Sequence, residues 1–190
     1  MRPPRTELTL TEWVVLALVA EDPTHGWAIA RALRPEGSVG AVWSCRAPLV
    51  YRALALLAEA GLVRPAGEAE GRGPNRTIVE ATPAGHEAVA AWLREPVARG
   101  RDLRSELLVK LLLLDRRGLD PAPLVRRQRE RLDPIATDFG AQAERATGSE
   151  QLIALWRSTA TRAALEFLAM VPSRPDEADD DVEPLRHERR

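Results

Sequence analysis

With 190 residues and a net charge of -1, the chain has room for one large or two small domains but carries no global basic field to draw it onto nucleic acid. Hydrophobic residues make up 45% and aromatics only 4%, so the core must be built from Leu, Ala and Val, a composition that favours helices. Cys45 is the single cysteine, which excludes an intramolecular disulfide and a thiolate metal set.

Residues 1 to 7 are polar, contain two prolines and read as loose. Thr9 or Thr11 can then cap a helix. Glu12 stands three residues after Thr9, the spacing of a capping box, and Trp13 to Ala20 are apolar nearly all round. Asp22-Pro23 ends it. Thr24-His25-Gly26 opens a second helix with Trp27, Ile29, Ala30 and Leu33 at helical spacing, and Pro35 to Gly40 forms a loop.

The third helix spans residues 47–60, with Pro48 in its first turn and Gly61 just past its end. Leu49, Val50, Ala53, Leu54, Leu56 and Leu57 form its apolar face. Pro48, Tyr51, Arg52, Ala55 and Glu59 form the opposite, exposed row. Two extended runs follow, Leu62-Val63-Arg64 and Arg76 to Thr82. The Gly-rich loop from Gly67 to Asn75 between them predicts a hairpin. Thr82 and Pro83 start a fourth helix with Val89, Trp92 and Leu93 inward, closed by Pro96.

Leu103 to Leu114 is dense enough in leucine to require broad burial. Glu106 and Lys110, the one lysine in the chain, form an i,i+4 pair expected on its wet edge. Asp120-Pro121 opens a helix through Leu124, Val125, Leu132, Ile135 and Phe139 that Pro134 should kink or interrupt. Arg126, Arg127, Arg129 and Arg131 read as its solvated face. Ser149 is placed to cap the last helix, whose stripe is Leu152, Leu155, Trp156, Thr159, Ala163, Phe167 and Met170. From Pro172 the chain turns acidic, with six acids between Asp176 and Glu183, and reads as disordered.

The fold class expected is mainly α with a small β-hairpin wing: a winged helix-turn-helix (1–95), a C-terminal α-helical dimerisation domain (96–171) and a disordered acidic tail (172–190). A helix with a polar N-terminal face, followed at once by a hairpin with basic residues near its tip, is the plan of a winged helix. The ordered set Leu10-Thr11-Glu12-Trp13-Val14-Val15-Leu16, His25-Gly26-Trp27-Ala28-Ile29, Leu49-Val50-Tyr51-Arg52-Ala53-Leu54 through Gly61-Leu62-Val63, and Gly73-Pro74-Asn75-Arg76-Thr77 to Gly85 resembles the PadR-type transcriptional regulators over residues 8 to 93. The chain departs from that family at Arg46-Ala47-Pro48, where small or polar residues are usual. It departs again at Asn75, where a basic residue is usual.

The resemblance implies a homodimeric repressor of double-stranded DNA, released by a small-molecule effector. Ser44, Arg46 and Pro48 lie at the third helix's start, where free N–H groups and the positive dipole end favour phosphate. Tyr51 and Arg52 stand on the row that would enter the major groove, and Arg72, Asn75 and Arg76 on the wing. Residues 1–94 hold ten Arg and ten acids, so these arginines must act by placement. An effector between the two regions could be lined by Trp13, Trp43, Trp92 or Trp156, each of which also fits a core role.

His25 reads as a helix-start residue rather than a ligand. Cys45 reads as a small residue at the helix entry, or as a redox-sensing thiol of lowered pKa. With no Ser/His/Asp arrangement, phosphate-loop glycines or metal set, neither enzyme activity nor a cofactor is expected. Lacking a signal sequence and any long apolar run, the chain is expected in the cytoplasm, off the membrane. The competing reading is a winged-helix protein-interaction or ligand-sensor module without direct DNA binding.

Overall fold

The computed structural model describes residues 8–69 and 76–173. Residues 1–7, the hairpin tip with Gly71, Arg72, Gly73, Pro74 and Asn75, and the acidic tail from 174 lie outside the described residues. Ten elements follow in order: α1 (Leu10–Val19), β1 (Thr24–His25), α2 (Gly26–Ala32), α3 (Ala47–Glu59), β2 (Val63–Ala69), β3 (Arg76–Ala81), α4 (Pro83–Arg94), α5 (Leu108–Arg116), α6 (Ala122–Arg145) and α7 (Gly148–Met170). Short 3₁₀ and π turns over Gly100–Asp102 and Leu103–Leu107 lead into α5.

The capping box at α1 forms as its spacing requires: Thr9 N donates to Glu12 Oε2 at 2.7 Å and Glu12 N to Thr9 Oγ1 at 3.3 Å. Fixed at that end, α1 runs through the middle of the core, with Val14, Val15, Leu16 and Ala17 fully buried. Its nearly all-round hydrophobicity follows from contacts with α3, α4 and β3. The core continues through Leu57 of α3, Val89 and Leu93 of α4, Leu113 of α5 and Leu124 of α6 to Leu168 of α7.

The hairpin is longer than its sequence suggests. β2 continues past Arg64 to Ala69, and the three strands lie in the order β1-β3-β2, all antiparallel. Pro65 has no N–H to donate, and it sits in β2 on the sheet edge, beside a bulge that pairs Pro65 with Val79 but Gly67 with Ile78. β1 was not foreseen. Thr24 and His25 open α2 and also pair with Val79 and Ile78, so the start of α2 is joined to the wing.

α3 ends in a Schellman motif. Leu62 N donates to Leu57 O at 2.9 Å and Gly61 N to Ala58 O at 3.0 Å, with Gly61 at φ 71°. Thr82 Oγ1 donates to Gly61 O at 2.8 Å and accepts from Gly85 N at 3.1 Å. One side chain therefore caps α4 and ties it to the end of α3.

Four expectations for the second half change. Lys110 is not on a wet edge but 1% exposed. Its Nζ donates to Glu106 Oε1 and to Glu95 O, each at 2.8 Å, and lies 4.9 Å from the Trp92 ring centroid. The ion pair is intact, but α4 covers it. Pro134 does not interrupt α6, which runs from Ala122 to Arg145 with Pro134 on its exposed side. Ser149 does not cap α7: Thr147 holds the cap position with no side-chain bond, and Gly148 precedes Ser149 in the first turn. The α7 stripe lies outward, with Trp156 72% and Met170 74% exposed, while Ala154, Ser158, Thr161 and Leu168 face α6 and the core.

The segment between α4 and α5 is held by Gln128. Its Oε1 accepts from Val97 N at 2.7 Å and its Nε2 donates to Val97 O at 3.3 Å. At the far end of α5, Arg116 binds the Glu21 carboxylate through Nε and Nη2, and Arg117 Nη2 donates to Ala17 O at 2.7 Å. The bond to Glu21 raises the Arg116 pKa, whereas burial lowers that of Arg117. The Arg126, Arg127, Arg129 and Arg131 row is exposed, as its spacing predicts.

Candidate nucleic-acid interface

Arg46 holds the cap position before α3, with an extended backbone and no capping bond from its side chain. Pro48 occupies the first turn, which contains no acidic residue. The positive end of the helix dipole is therefore not neutralised by an acid in the first turn. Ser44 and Arg46 are exposed just before it. Tyr51, 53% exposed, and Arg52 stand on the outer row with Pro48, Ala55 and Glu59, as the sequence predicts. Leu49 does not: it is exposed, and with Thr9, Thr11, Glu12, Arg52 and Ala53 it lines a groove of about 260 Å³ between α1 and α3.

Tyr51 is outward yet packed. A Cβ built on Gly26 would fall 2.6 Å from Tyr51 Cε1 and 3.1 Å from Cδ1. Only a glycine leaves room for that ring against α2. His25 supplies the cap of α2, its Nδ1 accepting from Ala28 N at 3.1 Å, so in the neutral ring the proton sits on Nε2.

On the wing, Arg76 is exposed at the start of β3, and its guanidinium lies 4.9 Å from the Trp27 ring centroid. Arg31, one helical turn beyond Trp27, lies 5.3 Å from the same centroid. Trp27 itself is 42% exposed rather than part of the core. Neither Trp27 nor Arg31 stood out as a site residue from the sequence. Their i,i+4 spacing on α2 was visible, but the partner across the strand pairing was not. Arg64 is taken by Glu80 at 2.7 Å, whereas Arg31, Arg46, Arg52 and Arg76 have no ion-pair partner among the described residues. Arg72 and Asn75 fall outside the described residues.

The four tryptophans named for an effector are not gathered in one place. Trp13 and Trp92 stack with centroids 5.2 Å apart and planes 2° from parallel, linking α1 to α4. Trp92 Nε1 donates to Glu106 Oε1 at 3.0 Å. Trp43 Nε1 donates to Thr11 Oγ1 at 3.3 Å and fastens the loop before α3 onto α1. Trp156 stands on the exposed face of α7. Cys45, half-buried before α3, donates its N–H to Leu33 O at 3.0 Å. Burial pushes its thiol pKa up, away from the reactive thiolate a redox sensor needs.

Among solved structures, Bacillus subtilis PadR in complex with operator DNA is similar over 86% of this chain and 96% of its own, at 15% identity and a TM-score of 0.45. The Vibrio cholerae virulence activator AphA is similar over 86% and 95%, at 22% identity and a TM-score of 0.37. No curated protein matches the chain. The family model of the transcriptional regulator PadR-like family matches residues 15–91, the stretch from α1 to α4 that holds α3 and the wing. Residues 15–91 of the chain thus carry a PadR-like domain.

Proposed function

We propose that this DNA-binding transcriptional regulator works as a homodimeric repressor that places α3 in the major groove of a near-palindromic operator and is released by a small-molecule effector. The observation that carries the DNA reading is the outer face of α3. Arg46, Tyr51 and Arg52 stand exposed beside an unneutralised helix N-terminus, and neither arginine has an ion-pair partner among the described residues. Placement thus compensates for the lack of bulk charge. Arg52 is suited to phosphate or to bidentate guanine contact, Tyr51 to a positioning bond, and Arg76 to the backbone beside the wing. Arg72 and Asn75 extend this surface in sequence.

A dimer would use the apolar stripe of α7 and would set two copies of α3 about one DNA turn, or a multiple of it, apart. The domain division proposed is 1–95 for DNA, 96–171 for dimerisation and 172–190 as the acidic tail. An effector would act where Trp13 and Trp92 join the winged helix to α5, because a change there would alter how the two halves sit.

A gel shift against the DNA upstream of the chain's own gene tests the DNA reading. A specific shift is expected, lost steeply as salt is raised and weakened by Arg52→Ala and by Arg76→Ala. No specific shift at low salt would refute it.

A further inference from the structure

We propose that Trp27 is a positioning residue that holds Arg31 and Arg76 as a paired phosphate clamp, so that the DNA-binding surface extends from α3 across α2 to the wing. This rests on the DNA-binding reading above. Both guanidiniums lie within 5.3 Å of one indole centroid. An exposed indole attracts a cation through its negative face and narrows the freedom of a long side chain. Two like charges on one ring still repel each other. No described carboxylate pairs with either arginine. A polyanion alongside would relieve that repulsion, whereas a neutral surface would not.

The location matches the role. Gly26, the residue before Trp27, supports the Tyr51 ring of α3. His25, before that, pairs with Ile78, two residues along β3 from Arg76. Consecutive residues of α2 thus meet the two elements, Gly26 the Tyr51 ring of α3 and Trp27 the Arg76 guanidinium of the wing. The wing arginine is thus fixed from α2, through the ring and through the β1–β3 pairing together.

Fluorescence anisotropy of the full chain with a labelled mixed-sequence duplex at low salt tests this, because a phosphate clamp needs no particular base sequence. Arg31→Ala should weaken binding about tenfold, as expected for a lost charged hydrogen bond, and should lower the slope of log K against log salt by about one. Trp27→Leu should weaken binding similarly, and Trp27→Phe should recover most of that loss. In an Arg31→Ala/Arg76→Ala background, Trp27→Leu should add nothing. If the wild type binds and Arg52→Ala weakens it while Arg31→Ala and Trp27→Leu do not, the clamp is refuted and the DNA reading stands. If Trp27→Leu costs as much without the two arginines as with them, its role is packing and the positioning claim fails. If the wild type leaves the duplex free, both readings fall together.

Discussion

A buried lysine is costly unless every donor is used and the charge is countered. Lys110 meets that condition through Glu106, Glu95 O and the Trp92 ring, and Glu106 also accepts from Trp92. Lys110→Ala would remove the cation, open a cavity and leave Glu106 and the Glu95 carbonyl without their donor. A loss of about 3–5 kcal/mol is expected in urea unfolding. Lys110→Met with Glu106→Gln keeps the volume and removes both charges, and it should unfold close to the wild type. Equal destabilisation by both variants would show that shape rather than charge decides the site. The i,i+4 spacing of the pair was legible in the sequence. Its burial was not, because what covers Lys110 is α4, fifteen and more residues back along the chain. Gly26 is a similar case. Gly26→Ala must push the Tyr51 ring aside, an overpacking cost of about 1–3 kcal/mol, and gel shift should show weaker DNA binding along with the lower melting temperature.

At the level of elements, most of what was decided within four residues could be read from the chain, the start of α7 at Thr147 rather than Ser149 being the exception. The Thr9 and Glu12 box, the His25 cap, the Thr82 cap and the Gly61 stop are local hydrogen-bond patterns, and each forms. β1 has two residues and no pattern of its own; it exists because β3 offers it a partner. Pro134 carries a helix-breaking signal, but α6 packs along α7 and buries Leu132 and Ala136 on either side of the proline, so tertiary contact overrides the local cost. The link between α4 and α5 has no regular ladder at Val97, and Gln128 takes that place. Gln128→Leu would leave the buried Val97 N–H and C=O unsatisfied, at about 1–3 kcal/mol for each group. Urea unfolding should show that loss. An unchanged midpoint would mean that water replaces both bonds.

For the molecule as a whole, the leucine density of residues 103–114 requires broad burial, and the chain's own core supplies it at Leu107, Val109, Leu113 and Leu114. The argument for a second copy is α7. Leu152, Leu155, Trp156, Phe167 and Met170 recur at helical spacing and all stand exposed, a larger apolar stripe than scattered surface residues would give. Periodicity showed that these residues share one face but not which way it points, because α7 has two faces able to pack. The smaller residues Ala154 and Ser158 allow α6 to approach closely, and that leaves the bulky face outward. Leu155→Glu with Trp156→Glu places two charges on that face and none in the core. The expected result is a folded monomer by circular dichroism and light scattering, against a dimer for the wild type at micromolar concentration. Operator affinity should fall by about a hundredfold or more, since each α3 row would act alone. A wild type that is already monomeric, or a doubly charged variant that remains dimeric, would remove α7 as the interface. The few arginines of α3 and the wing would then have to hold DNA without a second copy.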